Sequence, residues 1–220
     1  MIRLAVALLA FVIVACAAPR APAPIRPDSV VTLLQPAPPP TCLGFPEEKC
    51  RYAYSYEPHC AAFAIARQGQ TMLATASHCV PAGTANTTRL HFYAPSGWGH
   101  GYAYLIERND SVDVAFLALG DPDMVAPLRV GPSPLVDDNV LSYSPIFRES
   151  SAGKVKGWIG GDWFATNQTI NAGWSGSPVL DTRSDVVGIV SRCPTGEGGA
   201  VRRCIPGHTI VTAALCFRAE

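Results

Sequence analysis

The amino-acid sequence predicts an all-β chain, and three observations carry that expectation. Short apolar and β-branched runs recur between turn residues from about Cys42 onward, the pattern of many short strands. No long stretch keeps the 3.6-residue period of an amphipathic helix, apart from a short turn near Thr212 to Phe217. The 20 Pro and 19 Gly supply the turns that such a fold needs. Periodicity alone does not choose between a sandwich and barrels.

The elements follow in chain order. Arg3 and the apolar run Leu4 to Ala15 form a positive n-region and an h-region too short to span a bilayer comfortably. The run ends Ile13-Val14-Ala15-Cys16, which resembles a bacterial lipobox. Residues 1–16 are thus expected to be a signal peptide with Cys16 as the lipidation site and membrane anchor; several acyl chains on one residue suffice for stable anchoring. An ordinary signal peptide cut near Ala17 or Ala18 is the alternative, and would leave the protein secreted. Either reading implies export, to the cell envelope or beyond it. Ala17 in place of an Asp after the cysteine points to an outer membrane.

Residues 17–41 are rich in Pro and Ala and include Pro38-Pro39-Pro40. Such a segment favours extended geometry and reads as a semi-rigid spacer. The apolar patch Val30 to Leu34 inside it could dock on the domain that follows, 42–220. In that domain, Cys60 to Ala66 and Thr71 to Thr75 flank Arg67-Gln68-Gly69-Gln70 as a hairpin. Further strands are expected at Leu90 to Ala94, Tyr102 to Ile106, Val112 to Leu119, Val140 to Tyr143 and Val155 to Ile159. Val179-Leu180, Val186 to Ser191 and His208 to Val211 complete the set.

With 48% hydrophobic and 15% charged residues the chain can bury a full core. Its formal net charge of zero gives no electrostatic case for nucleic acid. The sequence has no phosphate-cradling loop and no zinc-ligand spacing, so neither a metal nor any other cofactor is expected.

Three fragments carry chemistry. They are Thr75-Ala76-Ser77-His78-Cys79, Asp113 ahead of the apolar run Val114 to Leu119, and Asn171-Ala172-Gly173-Trp174-Ser175-Gly176-Ser177-Pro178. A serine hydroxyl is a poor nucleophile without a base beside it; a histidine can take its proton, and a buried carboxylate holds the imidazole in the right tautomer. His78 is the candidate base, Asp113 the orienting carboxylate and Ser175 the nucleophile. Asp110 competes with Asp113, but beside Asn109 and without an apolar surround it resembles turn material. Gly173 and Gly176 let the backbone turn tightly, so the N–H groups of Gly173 and Ser175 can form an oxyanion hole.

Over roughly Pro58 to Thr212 these motifs resemble the trypsin/chymotrypsin serine protease superfamily, in its compact bacterial or viral form. The resemblance implies two antiparallel six-stranded β-barrels with the site in the cleft between them, a protein or peptide substrate, and an acyl-enzyme mechanism. A catalytically inactive protease-fold binding module anchored to the envelope is the alternative. It also implies a Cys60–Cys79 disulfide bracing the histidine loop. The family pattern aligns Thr169 with the base of the specificity pocket, Val190, Ser191 and Arg192 with one wall, and Gly207 with the far wall beside His208. No fixed negative charge marks that pocket, which disfavours cleavage after basic residues. Cys193 and Cys204 are expected to clamp a hairpin there, leaving Cys42, Cys50 and Cys216 as an odd remainder if Cys16 is lipidated. Disulfides agree with an oxidising compartment. The sequence departs from trypsin-like enzymes at Trp174, where an Asp would pair with a new N-terminus after zymogen cleavage. The oxyanion hole is therefore expected to form without such a cut.

Overall fold

A computed structural model describes residues 27–36, 56–94, 99–160, 162–192 and 209–213. These form two closed, antiparallel, six-stranded barrels. The first contains β1 (Val30–Pro36), β2 (Tyr56–Arg67), β3 (Gln70–Thr75), β4 (Arg89–Ala94), β5 (Gly99–Asn109) and β6 (Val114–Leu119). Around its circumference the order is β1-β2-β3-β6-β5-β4. The second contains β7 (Asn139–Ser144), β8 (Glu149–Gly160), β9 (Trp163–Thr166), β10 (Pro178–Leu180), β11 (Val186–Arg192) and β12 (Thr209–Ala213), in the order β10-β11-β12-β9-β8-β7. Among the described residues, helix is confined to single 3-10 turns of three residues.

Strand periodicity explains how the barrels pack. Cys60, Ala62 and Ala64 of β2, with Ala115 and Leu117 of β6, fill the first barrel. The intervening Phe63, Ile65, Val114 and Phe116 face outward, because successive side chains alternate across a strand. Outward does not mean exposed here. These residues meet Leu180, Val186 and Ile189 of the second barrel in one buried cluster, which is the seam between the barrels. Val140, Val155, Phe164, Ile170, Trp174, Val179, Val187 and Val190 fill the second barrel. Strands buried on both faces lose simple alternation and read as continuous apolar runs, as Val114 to Leu119 does.

Two strands differ from the sequence-based expectation. Val30–Pro36, assigned to the spacer, is β1: it pairs with β2 on one side and β4 on the other, and so closes the first barrel. Val30 and Val31 are fully buried. The domain therefore begins upstream of Cys42, and Pro36 is the last residue of a strand rather than part of a linker. β9 was not expected; only four residues long, it bridges β8 and β12. Of the expected C-terminal turn, Thr212 and Ala213 are strand, and the residues after them lie outside the described set. The β2–β3 hairpin is as read, its turn made by Gln68 and Gly69, both at positive φ.

Candidate active site

The histidine loop is held at both ends. The buried Thr75 hydroxyl, at the end of β3, donates to the Ala61 carbonyl of β2 at 2.7 Å. After extended Ala76 the chain enters the 3-10 turn Ser77–Cys79. A Cys60–Cys79 disulfide, with 5.9 Å between Cα atoms, ties that turn back to β2. Closing a loop of 19 residues stabilises by about 3 kcal/mol in the chain-entropy model. Ser77 and Cys79 are buried, while the His78 side chain between them stays 47% exposed. The imidazole is thus presented to the cleft from a braced turn.

Asp113 ends the turn between β5 and β6 at φ 54°, a left-handed conformation that Asp tolerates better than most residues. Its carboxylate accepts from the Ser77 hydroxyl at 2.9 Å, the His78 backbone N–H at 3.0 Å and His78 Nδ1 at 2.9 Å. The Ser77 hydroxyl and the His78 backbone N–H meet Oδ1, and the Ser191 hydroxyl donates to Oδ2, the oxygen that also accepts from Nδ1 at 2.9 Å. Burial alone would raise the Asp113 pKa. The hydrogen bonds from His78 and Ser191, with the imidazole charge, outweigh it and hold the carboxyl at about 2. Asp110 accepts from Arg108 Nε at 2.6 Å and is largely exposed. Asp113, not Asp110, is the carboxylate in contact with the imidazole.

Ser175 sits where the second barrel meets the first. Trp174 is 2% exposed among the apolar residues of the second barrel, and its indole N–H has no acceptor among the described residues. The backbone turns on either side of it, with Gly173 at φ 91° and Gly176 at φ 81°. The Ser175 carbonyl accepts from Ala61 N–H of β2 at 2.8 Å, and Gly176 N–H donates to Val190 of β11 at 2.8 Å. A Cβ on Gly176 would lie 2.0 Å from the Ala61 carbonyl oxygen, so only glycine permits this approach. The N–H groups of Gly173 and Ser175 have no acceptor among the described residues. Ser175 Oγ donates to the Ser191 carbonyl at 3.2 Å. One short network therefore runs from His78 through Asp113 and Ser191 to Ser175.

The expected specificity-pocket residues divide. Thr169 is exposed on the loop before Ile170. Val190 is buried in the second-barrel cluster that also holds Trp174. The pairing of β10 with β11 shifts register between Val179 and Leu180, and Val187 and Val190 both join the barrel core. Ser191 is fully buried and serves Asp113 and Ser175. Arg192 ends β11, and its side chain lies outside the described set. Gly207, His208, Cys16, Cys42, Cys50, Cys193, Cys204 and Cys216 also lie outside it. Cys60, His78 and Cys79 come within ligating range of one another, but the two sulfurs are bonded together and cannot hold a metal. Sequence reasoning missed the Ser77 and Thr75 hydroxyls. Their only signal was their place in the Thr75–Cys79 motif.

Two closed six-stranded barrels, with a histidine loop on one and a Gly-flanked serine loop on the other, define the class of chymotrypsin-like serine protease folds. A family model for the trypsin-like peptidase domain matches residues 60–189, and the chain belongs to that family. Solved structures agree on the fold. A serine endoprotease from Yersinia pestis is 14% identical with a TM-score of 0.61, the match covering 86% of this chain and 60% of that one. An HtrA-type protease, AlgW, solved with a decapeptide, is 17% identical with a TM-score of 0.59, covering 85% and 61%. The chain thus spans about three fifths of each of those structures. No curated protein matches it in sequence.

Proposed function

We propose that the protein is an extracytoplasmic serine endopeptidase that hydrolyses peptide bonds through His78, Asp113 and Ser175. The observation that carries this reading is the Asp113 carboxylate, which accepts from His78 Nδ1 and, through Ser191, is linked to the Ser175 hydroxyl. With Nδ1–H donated to Asp113, Nε2 is left as the base.

Ser175 Oγ, rotated from the Ser191 carbonyl to the imidazole, attacks the substrate carbonyl carbon and passes its proton to Nε2. The carbonyl oxygen becomes an oxyanion facing the Gly173 and Ser175 N–H groups, each donor contributing about 3–4 kcal/mol by analogy with measured losses. The C–N bond breaks as Nε2 returns the proton to the leaving amine. Water then attacks the acyl-enzyme, again through His78, releasing the acid and restoring the hydroxyl. No step requires a cofactor. The lipobox-like run ending at Cys16 supports a location at the cell envelope, or outside the cell if Cys16 is unmodified. Loss of detergent-phase partitioning in Cys16→Ser separates those two locations.

One observation favours a second reading, an inactive binding module: the Ser175 hydroxyl bonds to a carbonyl rather than to the imidazole. Catalytic hydrogen bonds often form only with substrate bound, so an experiment must choose. A serine-directed phosphonate should label the folded, oxidised protein, and labelling should vanish in Ser175→Ala and His78→Ala. An unlabelled folded protein supports the binding module.

A further inference from the structure

Two carboxylates converge on one hydroxyl behind the imidazole. Ser77 is buried in the 3-10 turn, and its Oγ donates to Asp113 Oδ1 at 2.9 Å. The hydrogen bond from Arg108, and after it that of the Ser77 hydroxyl, lower the Asp110 pKa, so the same hydroxyl also reaches this second carboxylate. A serine has a single proton to donate, and Asp113 and Asp110 therefore compete for it. We propose that Ser77 is a positioning residue for the candidate triad, sharing its one proton between Asp113 and Asp110 and so setting how much negative charge Asp113 presents to His78. The proposal deepens the endopeptidase reading and takes its catalytic meaning from it.

The geometry puts the effect on the group that the imidazole touches. Nδ1 of His78 lies 3.0 Å from Asp113 Oδ1 as well as 2.9 Å from Oδ2, so both oxygens face the ring. The Ser77 bond ends on Oδ1 itself. A carboxylate whose lone pairs are taken by donors stabilises a neighbouring cation less than a bare one. The Ser77 proton therefore works against the imidazolium, and its loss favours that form.

The competing carboxylate is held in place. Arg108 Nε donates to Asp110 Oδ1 at 2.6 Å, while Arg108 Nη1 donates to the Val80 carbonyl at 3.0 Å. The turn between β5 and β6 is thereby pinned to the chain just after the histidine loop. Asp110 is largely exposed and Asp113 largely buried. Water and Arg108 satisfy the first, which leaves the second as the carboxylate with more to gain from the hydroxyl. Among the described residues, the charged or titratable groups around the imidazole are Asp113, Asp110 and Arg108 from the β5–β6 side. From β2 comes His59, with Glu57 beside it. Removing the Ser77 hydroxyl changes the charge of none of them.

The test is the titration of His78, followed by the NMR signals of its ring nitrogens in the folded, oxidised protein and assigned by their loss in His78→Ala. In Ser77→Ala the midpoint should rise by about half a pH unit, or about threefold in the protonation equilibrium. The acid limb of phosphonate labelling should rise with it. Asp110→Asn leaves the hydroxyl to Asp113 and should move the midpoint down. Made in the Ser77→Ala background, the same change should move it less, because only the direct charge effect remains. An unchanged or lowered midpoint in folded Ser77→Ala overturns the positioning role, whether or not the protein labels. An Asp110→Asn shift of the same size in both backgrounds overturns the sharing of the proton. Midpoints that move as expected in a protein that takes up no phosphonate support the charge-setting role and overturn the endopeptidase reading alone.

Discussion

Gly176→Ala should cripple this protein through one methyl group. The perturbation acts in two ways, both readable from the backbone. Gly176 has φ 81°, and an L-residue forced into left-handed geometry costs roughly 1–2 kcal/mol. The added Cβ would also stand 2.0 Å from the Ala61 carbonyl oxygen and 2.5 Å from Thr75 Oγ1. Neither neighbour is the free end of a flexible side chain. The first is strand backbone, and the second is a buried hydroxyl committed to that same carbonyl at 2.7 Å. Relief requires moving the serine loop away from β2, which breaks the Ala61 N–H to Ser175 carbonyl bond. Leaving a buried polar group unpaired costs about 1–3 kcal/mol. The combined loss is therefore on the order of 2–5 kcal/mol, against a typical stability of about 5–15 kcal/mol. Urea unfolding should show a lower midpoint at unchanged slope, and phosphonate labelling should fall with it as Ser175 is displaced. A Gly176→Ala protein within about 0.5 kcal/mol of the parent, labelled at the same rate, would refute the contact between serine loop and first barrel.

Asp113 makes stability depend on acid. Its folded pKa lies at about 2, below the ordinary 3.8. Its contribution is therefore fully present above about pH 4 and disappears as pH falls toward 2, a loss of about 2–3 kcal/mol; Asp113→Asn should be less stable at pH 6 and lose that deficit near pH 2. Removing β1 by starting the domain at Cys42 should prevent folding, since Val30, Val31 and Leu33 leave the core at about 1.5–3 kcal/mol each and two strand edges open. Circular dichroism should show native sheet for a chain starting near Pro27 and none for the shorter one. The full-length protein should label at Ser175 without any N-terminal cut, because buried Trp174 cannot make the ion pair that such a cut would create; labelling strictly dependent on cleavage would reject this. Trp174→Ala should in addition cost about 3–5 kcal/mol in thermal unfolding.

Most strands were legible in the sequence, for a physical reason. Runs such as Cys60 to Ala66 and Val114 to Leu119 are apolar because both faces are buried, one in a barrel and one in the seam. The turn at Gln68-Gly69 announces itself through its glycine. β1 was hidden by its neighbours: apolar residues among prolines look like a linker unless the missing sixth strand of a barrel is counted. β9 was too short to show a period. The roles of Thr75 and Ser77 were illegible, since a hydroxyl at a strand end has no pattern of its own.

The placement of the candidate residues couples chemistry to barrel docking. His78 and Asp113 belong to the first barrel, while Ser175 and Ser191 belong to the second. Every link between the two sets crosses the seam: Ser191 to Asp113, Ala61 to Ser175, and the Gly176 backbone against Ala61. Beneath them Phe63, Ile65 and Phe116 pack on Leu180, Val186 and Ile189. A slip of about 1 Å in that packing leaves each barrel intact but separates base from nucleophile, and misplacements of that size can cost about a hundredfold in rate. Truncations in the seam, such as Phe63→Ala, should therefore abolish labelling under conditions where secondary structure persists. Equal loss of both would mean that the barrels have no existence apart from their interface, and that the site is rigid because the fold is one cooperative unit.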